Sequence, residues 1–339
     1  MAVKQEKEFY SFLFDHKRFK SQVHTFCHHG LKHFKKLTKS YIFTHLFFLG
    51  ILTLELSLLI ISLAYLASTP FIATVLSIFL ISAFAYTLAI FYFQTKKPEQ
   101  FLKLHKHFMD LCAKELSQDL QKKEYYLCLA NASFSFATFV EKQEKVFYSM
   151  PQVPGVFNRL IAQFTKVYHR KDFSKIKEVF YFSSIHEHIK LIKIDPKDIE
   201  SHASLANTFS NLANIYSSKS LFNKNHKLYI KTVNQAIGEY KIIKALSPND
   251  PWVFAKLAAC YNITGEKDLE IASYEEILTL RPQDQQILFR LGILYFQIND
   301  QAKGLDIYSI LLAQGYSKSH QLLDFYDANL FYEKNHQVF

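Results

Sequence analysis

The stretch PNDPWVFAKLAACYNITGEKDLEIASYEEILTLRP, residues 248–282, opens and closes on prolines 34 residues apart, and the chain repeats itself around it at that offset. Tyr240, Tyr274 and Tyr308 fall in register, as do Ile237, Ile271 and Leu305, and Ile243, Ile277 and Leu311. On the preceding runs Phe254 matches Leu288, Leu257 matches Leu291, Ala258 matches Gly292 and Tyr261 matches Tyr295. A period of this length marks a stacked architecture, because one unit cannot bury its apolar face alone and neighbours complete the core. Small residues at Ala258 and Gly292 let paired helices approach, while the aromatics fill the space between successive pairs.

The pattern resembles the tetratricopeptide repeat (TPR), whose first helix carries a large residue, then Leu-Gly/Ala, then Tyr, and whose second carries a small residue, an aromatic, an apolar residue and a closing Pro. Ser247-Pro248-Asn249-Asp250-Pro251 and Leu280-Arg281-Pro282 match its inter-repeat turns, and the resemblance covers residues 199–316. Glu270 departs from it where a small residue belongs, and Tyr316 replaces the final Pro. Asp195-Pro196 lies 52 residues before Pro248, which implies a lengthened helix pair around Ser217–Asn225, a divergent repeat over 155–196 and a capping helix from Leu322 to Leu330. The resemblance further implies a concave groove lined by first helices, which maps here to Ala203, Asn207 and Asn211; Trp252, Lys256, Ala259 and Asn262; and Phe289, Arg290 and Phe296. Lys256, Arg290 and the asparagines offer charge-assisted bonds to a carboxylate. Ala203 stands where carboxylate-binding members carry Lys, and for each of these residues ordinary solvation or core packing is the competing account.

Outward from the repeats, the next feature is apolar. Tyr41 to Ala67, and Phe71 to Phe93 after Ser68-Thr69-Pro70, are two runs with Glu55 as their one charge. Each exceeds the roughly 20 residues that cross a bilayer core. Lys32, Lys35, Lys36 and Lys39 precede the pair and Lys96, Lys97, Lys103 and Lys106 follow it, which puts both ends on the cytoplasmic side. Pro70 suits the first turn of the second helix. Ala73, Ser77, Ala85 and Ala89 fall on one ridge of four-residue steps, broken only by Ile81, the expected face for close packing. Glu55, near the middle of the first span, costs about 2.5–3.5 kcal/mol on insertion scales unless neutralised or paired. It suggests either an ion or proton pathway, a contact in a homo-oligomer, or a neutral carboxyl bonded to a hydroxyl such as Ser82 or Thr87. Neither helix has the second charge that a transport pathway would use.

The net charge of +10 is uneven, with nine Lys/Arg against three Asp/Glu in residues 1–40. The positive-inside rule accounts for this excess, to which attraction to anionic lipid would add. Phe9, Leu13, Phe19, Val23, Phe26, Phe34 and Leu37 recur mostly at three- and four-residue steps among these lysines, giving an amphipathic helix that either lies on the membrane or packs against the repeat domain. His24/His28 and His29/His33 beside Cys27 have a zinc-compatible spacing but no carboxylate to complete a site, so no metal is expected. Cys27, Cys112, Cys128 and Cys260 are scattered and predict free thiols.

No P-loop, dinucleotide fingerprint, G-x-S-x-G, H-E-x-x-H or paired-carboxylate motif is present, so no enzyme, catalytic residue or cofactor is expected. His105/His107 and His186/His188, two apart, point to different helix faces. The mild basicity of the repeats gives no ground for nucleic-acid binding. The expected fold is all-α, a transmembrane helical hairpin joined to a TPR-like α-solenoid. Its expected parts are a basic juxtamembrane segment (1–40), the hairpin (41–94), a helical connector (95–150) and the repeat domain with its cap (151–339). The expected function is a membrane-anchored scaffold that recruits cytosolic protein partners. Two alternatives stand beside it: membrane transport or remodelling centred on Glu55, and a vacuole-membrane protein facing host cytosol. The latter follows because the hydropathy of the hairpin resembles the bilobed segment of chlamydial inclusion-membrane proteins.

Overall fold

The computed structural model describes residues 15–65, 69–116, 120–147, 155–217 and 223–327. Among them there is no strand. Ten helices follow one another: α1 (His16–Tyr65), α2 (Thr69–Glu115), α3 (Lys122–Phe147), α4 (Gly155–Ile194), α5 (Ile199–Ser217), α6 (Asn223–Leu246), α7 (Pro251–Thr264), α8 (Lys267–Leu280), α9 (Gln285–Gln297) and α10 (Gln301–Ala313), with a further helical stretch at 321–327. The chain divides into two compact units, Met1–Leu191 and Ile192–Phe339. The expected residues Phe9 and Leu13, the turn around Ser68, the break at 151–154 and the end of the capping helix lie outside the described residues.

In the first unit the basic segment and the first apolar run are one helix of 50 residues. The stripe of Phe19, Val23, Cys27, Leu31 and Phe34 is buried, so protein and not lipid covers the apolar face of the basic segment. Its partners are α2, α3 and α4. Phe34 packs 5.5 Å from Phe101 and 5.0 Å from Phe173, and Phe108, Phe136 and Phe180 form a cluster in which Phe136 stacks on Phe180 at 4.0 Å. Gly30 permits this approach, since a Cβ there would sit 2.5 Å from the Phe136 ring. Two shielded ion pairs fix α4, Lys97 to Asp172 at 3.0 Å and Lys177 to Glu144 at 3.3 Å. Residues 155–191, which the sequence assigns to a divergent repeat, therefore belong to the first unit, drawn there by Phe173, Ile176 and Phe180.

Beyond this base α1 and α2 run on as a pair whose seam follows a heptad. Tyr41, His45, Phe48, Leu52, Glu55, Leu59 and Ser62 on α1 are buried or half-buried, and so are Val75, Phe79, Ser82, Tyr86, Ala89 and Phe93 on α2. Alternating four- and three-residue steps are the spacing of a left-handed coiled coil. Tyr41 meets Phe93 at 4.8 Å and Phe48 stacks on Tyr86 at 5.4 Å. The opposite faces carry large exposed side chains, among them Phe43 (72% exposed), Ile81 (68%) and Phe84 (65%). Both helices are long and apolar enough to cross a membrane.

The second unit is a short α-solenoid. Its helices pack as α5 with α6, α7 with α8 and α9 with α10, with α6 on α7 and α8 on α9 linking the pairs. Short connections make sequence neighbours antiparallel. The first pair is lengthened, at 19 and 24 residues, while α7 to α10 hold 13 or 14. Asp250 caps α7 by accepting from the Trp252 N–H, with Pro251 at the first helical position, and Asp284 caps α9 by accepting from the N–H groups of Gln286 and Ile287. Gly265, at φ 80°, ends α7 in the left-handed conformation and donates its N–H to the Tyr261 carbonyl. Gly292 is in close contact with Ile307 and Leu322, so the start of the expected capping helix closes the last pair.

Candidate functional site

The small-residue position of the second helices is occupied by Ala236, Glu270 and Gly304 in successive pairs. At Gly304 a Cβ would lie 2.4 Å from the Phe296 ring, and Phe296 is fully buried above it. One repeat earlier the equivalents are Glu270 and Asn262. Large-over-small is thus exchanged for small-over-large, which conserves volume between the helices. Glu270, 1% exposed, is compensated on both oxygens, since Arg290 donates to Oε1 at 2.9 Å and Asn262 to Oε2 at 3.0 Å. A buried carboxylate held in this way joins α7, α8 and α9. Tyr274 lies against the same group, and burial, reinforced by the Glu270 carboxylate and opposed by Arg290, raises its pKa.

This network revises the groove expected from the sequence. Phe296 is core and lines no groove. Arg290 and Asn262 direct their donors at Glu270, so the anion-holding set shrinks. Lys256 and Trp252 remain exposed, the ammonium 5.7 Å from the indole centroid, and Trp252 (43% exposed) is braced edge-on against Tyr240 at 5.9 Å. Asn207 is exposed and Asn211 half-buried, with Asn211 donating to the Asn207 backbone carbonyl at 2.8 Å. Phe289 is half-buried against Tyr316, 5.7 Å away. Tyr316, in place of the expected Pro, thus supplies a ring to the end of the stack. The compensating pairs were legible at the 34-residue offset, because Asn262 aligns with Phe296 just as Glu270 aligns with Gly304.

In the apolar helices Ser82 donates to Glu55 Oε1 at 2.7 Å, while Thr87 bonds to the Ala83 carbonyl of its own helix. Glu55 Oε2 is buried at the seam, so the carboxyl faces its partner helix and is not turned outward to a second copy. Of the expected small-residue ridge, Ala73, Ser77 and Ala85 are exposed and only Ala89 reaches the seam. The ridge follows a four-residue row, whereas the bulky seam residues recur every three to four.

His24 and His28 pack edge-on to Phe139, at 5.6 and 4.7 Å, and no group of three metal-ligating side chains occurs among the described residues. The four cysteines are free and buried, and burial pushes the Cys27 thiol up to about 12 and the Cys260 thiol up to about 11. Such thiols are poor nucleophiles.

No family model matches the chain, and no curated protein matches it either. Among solved structures it is similar to a thermophilic TPR protein of Thermus thermophilus, at 18% identity over 62% of this chain and 99% of that one, with a TM-score of 0.32. It is also similar to MamA (15% identity, 49% and 96% covered, TM-score 0.31) and to the TPR2AB domain of yeast Sti1 in its complex with pHSP90 (16%, 69% and 97%, TM-score 0.28). At these scores the case for stacked helix pairs rests on the packing described above.

Proposed function

We propose that the chain is a membrane-tethered interaction scaffold. The α1–α2 hairpin anchors it, with both ends on the cytoplasmic side, and the helix-pair stack engages a cytosolic protein through Asn207, Trp252 and Lys256. The observation that carries the docking half is Trp252. A large aromatic held in place by Tyr240 yet 43% exposed, with a lysine over its face, is the type of side chain that anchors protein interfaces. The anchoring half is supported by two long helices whose outward-facing apolar side chains, such as Phe43, Ile81 and Phe84, are exposed, because leaving such a surface in water would cost about 25 cal/mol per Å².

Proximity labelling from the carboxyl end of the full chain tests the docking half. Trp252→Ala with Lys256→Glu should remove a discrete set of labelled proteins, and an unchanged set would reject the groove. Alkaline carbonate extraction tests the anchor: the chain should stay with the membranes, and release into the supernatant would reject it.

A further inference from the structure

A cleft of about 550 Å³ lies between α2, α3 and α4 in the first unit, and none of its lining residues belongs to the proposed scaffold groove. Its volume falls in the range of small-ligand sites. Leu102 and Phe182 stand at its rim, 56% and 51% exposed, the two most exposed large apolar side chains among the described residues outside the hairpin. Its polar lining comes from His105 and Asp110 on α2, Tyr125 on α3, and Ser183, His186 and Glu187 on α4.

Two of these groups are incompletely bonded. Glu187 is 7% exposed; its Oε1 accepts from Lys190 Nζ at 2.8 Å, while Oε2 is buried with no partner. His105 Nε2 is likewise buried and unpartnered, and the ring is held edge-on to Phe180 at 4.9 Å. Burial lowers the His105 pKa against an opposing pull from Asp110, so a neutral ring that can accept a hydrogen bond is favoured. An orphaned carboxylate oxygen carries a desolvation cost that a donor would remove, and a charged donor gains most.

We propose that this cleft binds an organic cation, an ammonium or guanidinium on an apolar stem, whose head donates to Glu187 Oε2 and His105 Nε2 while the stem lies between Leu102 and Phe182. Two carboxylates, Asp110 and Glu187, are among the lining residues and no lysine or arginine is, although Lys190 reaches Glu187 Oε1 from outside the lining, and this balance selects a cation over an anion. The same chemistry is offered by a free amine and by an arginine or lysine flanked by apolar residues in a peptide.

The test is titration calorimetry on the full chain in detergent with 2-phenylethylammonium, its neutral analogue 2-phenylethanol, and an acetyl-Phe-Arg-Phe amide peptide. The expected result is saturable binding of at least one cation, at least about tenfold tighter than the alcohol, a ratio equivalent to 1.4 kcal/mol. Glu187→Gln should erase that ratio, and Phe182→Ala should weaken cation and alcohol alike. Preference for the amine over the peptide would assign a small-molecule ligand, and the reverse a peptide. Equal affinity of cation and alcohol, an unchanged ratio in Glu187→Gln, or no saturation by either cation below about 10 mM would overturn the proposal. If Glu187→Gln fails to fold, the cation-to-alcohol ratio of the unaltered chain and the Phe182→Ala result still decide.

Discussion

Arg290→Met is the most informative perturbation of the repeat stack. It removes the guanidinium that donates to Glu270 Oε1 at 2.9 Å and leaves a carboxylate only 1% exposed, with Asn262 as its sole donor. Breaking one side of a buried charge pair costs about 3–5 kcal/mol. Here the Arg290 side chain is 35% exposed and one bond to Glu270 survives, so the expected loss is about 2–3 kcal/mol. For a unit of this size that lowers the midpoint of thermal unfolding by roughly 4–10 °C. Glu270→Ala should cost less, about 1–2 kcal/mol, because the arginine left behind can turn to water while only a small cavity forms. The double variant Glu270→Gly with Asn262→Phe, which copies the Gly304–Phe296 pair, should be more stable than Glu270→Gly alone. The assay is a double-mutant cycle by thermal and denaturant unfolding of the full chain, followed through the Trp252 fluorescence. A cost below about 0.5 kcal/mol for Arg290→Met, or a greater cost for Glu270→Ala than for Arg290→Met, would refute the assignment of Glu270 as a compensated buried charge.

Other outcomes follow from the same structure. Gly30→Ala should destabilise the first unit by about 1–3 kcal/mol, because the added Cβ meets Phe136 at 2.5 Å; unfolding midpoints unchanged from the parent would exclude that close approach. His188 is 1% exposed and burial lowers its pKa to about 4, so the unfolded chain takes up its proton first as pH falls through 6.5, and stability drops until the folded group titrates. His188→Asn should therefore lessen the loss of stability between pH 6.5 and 4 by about 2–3 kcal/mol, and parallel curves for the two proteins would contradict this. Glu55→Gln keeps a group that can accept from Ser82, so it should leave membrane retention and partner labelling intact; loss of either would instead favour the transport or remodelling alternative.

Periodicity was enough to read much of the molecule. The offset that aligns Tyr240, Tyr274 and Tyr308 marks helix pairs because each pair must present the same residue types to its neighbours, and the two charge-poor runs mark long apolar helices by composition alone. Ser82 was legible as one of two hydroxyls in reach of Glu55, but the choice between it and Thr87 depends on the rotation of α2, which the heptad seam sets. Amphipathicity shows that a helix has an apolar face without naming what covers it. Only packing decided that protein buries Val23, Leu31 and Phe34, that residues 155–191 join them, and that Phe296 is core while its aligned partner Asn262 bonds to a carboxylate. The cleft is likewise invisible in sequence, since His105 and Glu187 are 82 residues apart in the chain. Local spacing is written along the chain; partners across a gap depend on which side-chain volumes and charges cancel once the helices meet.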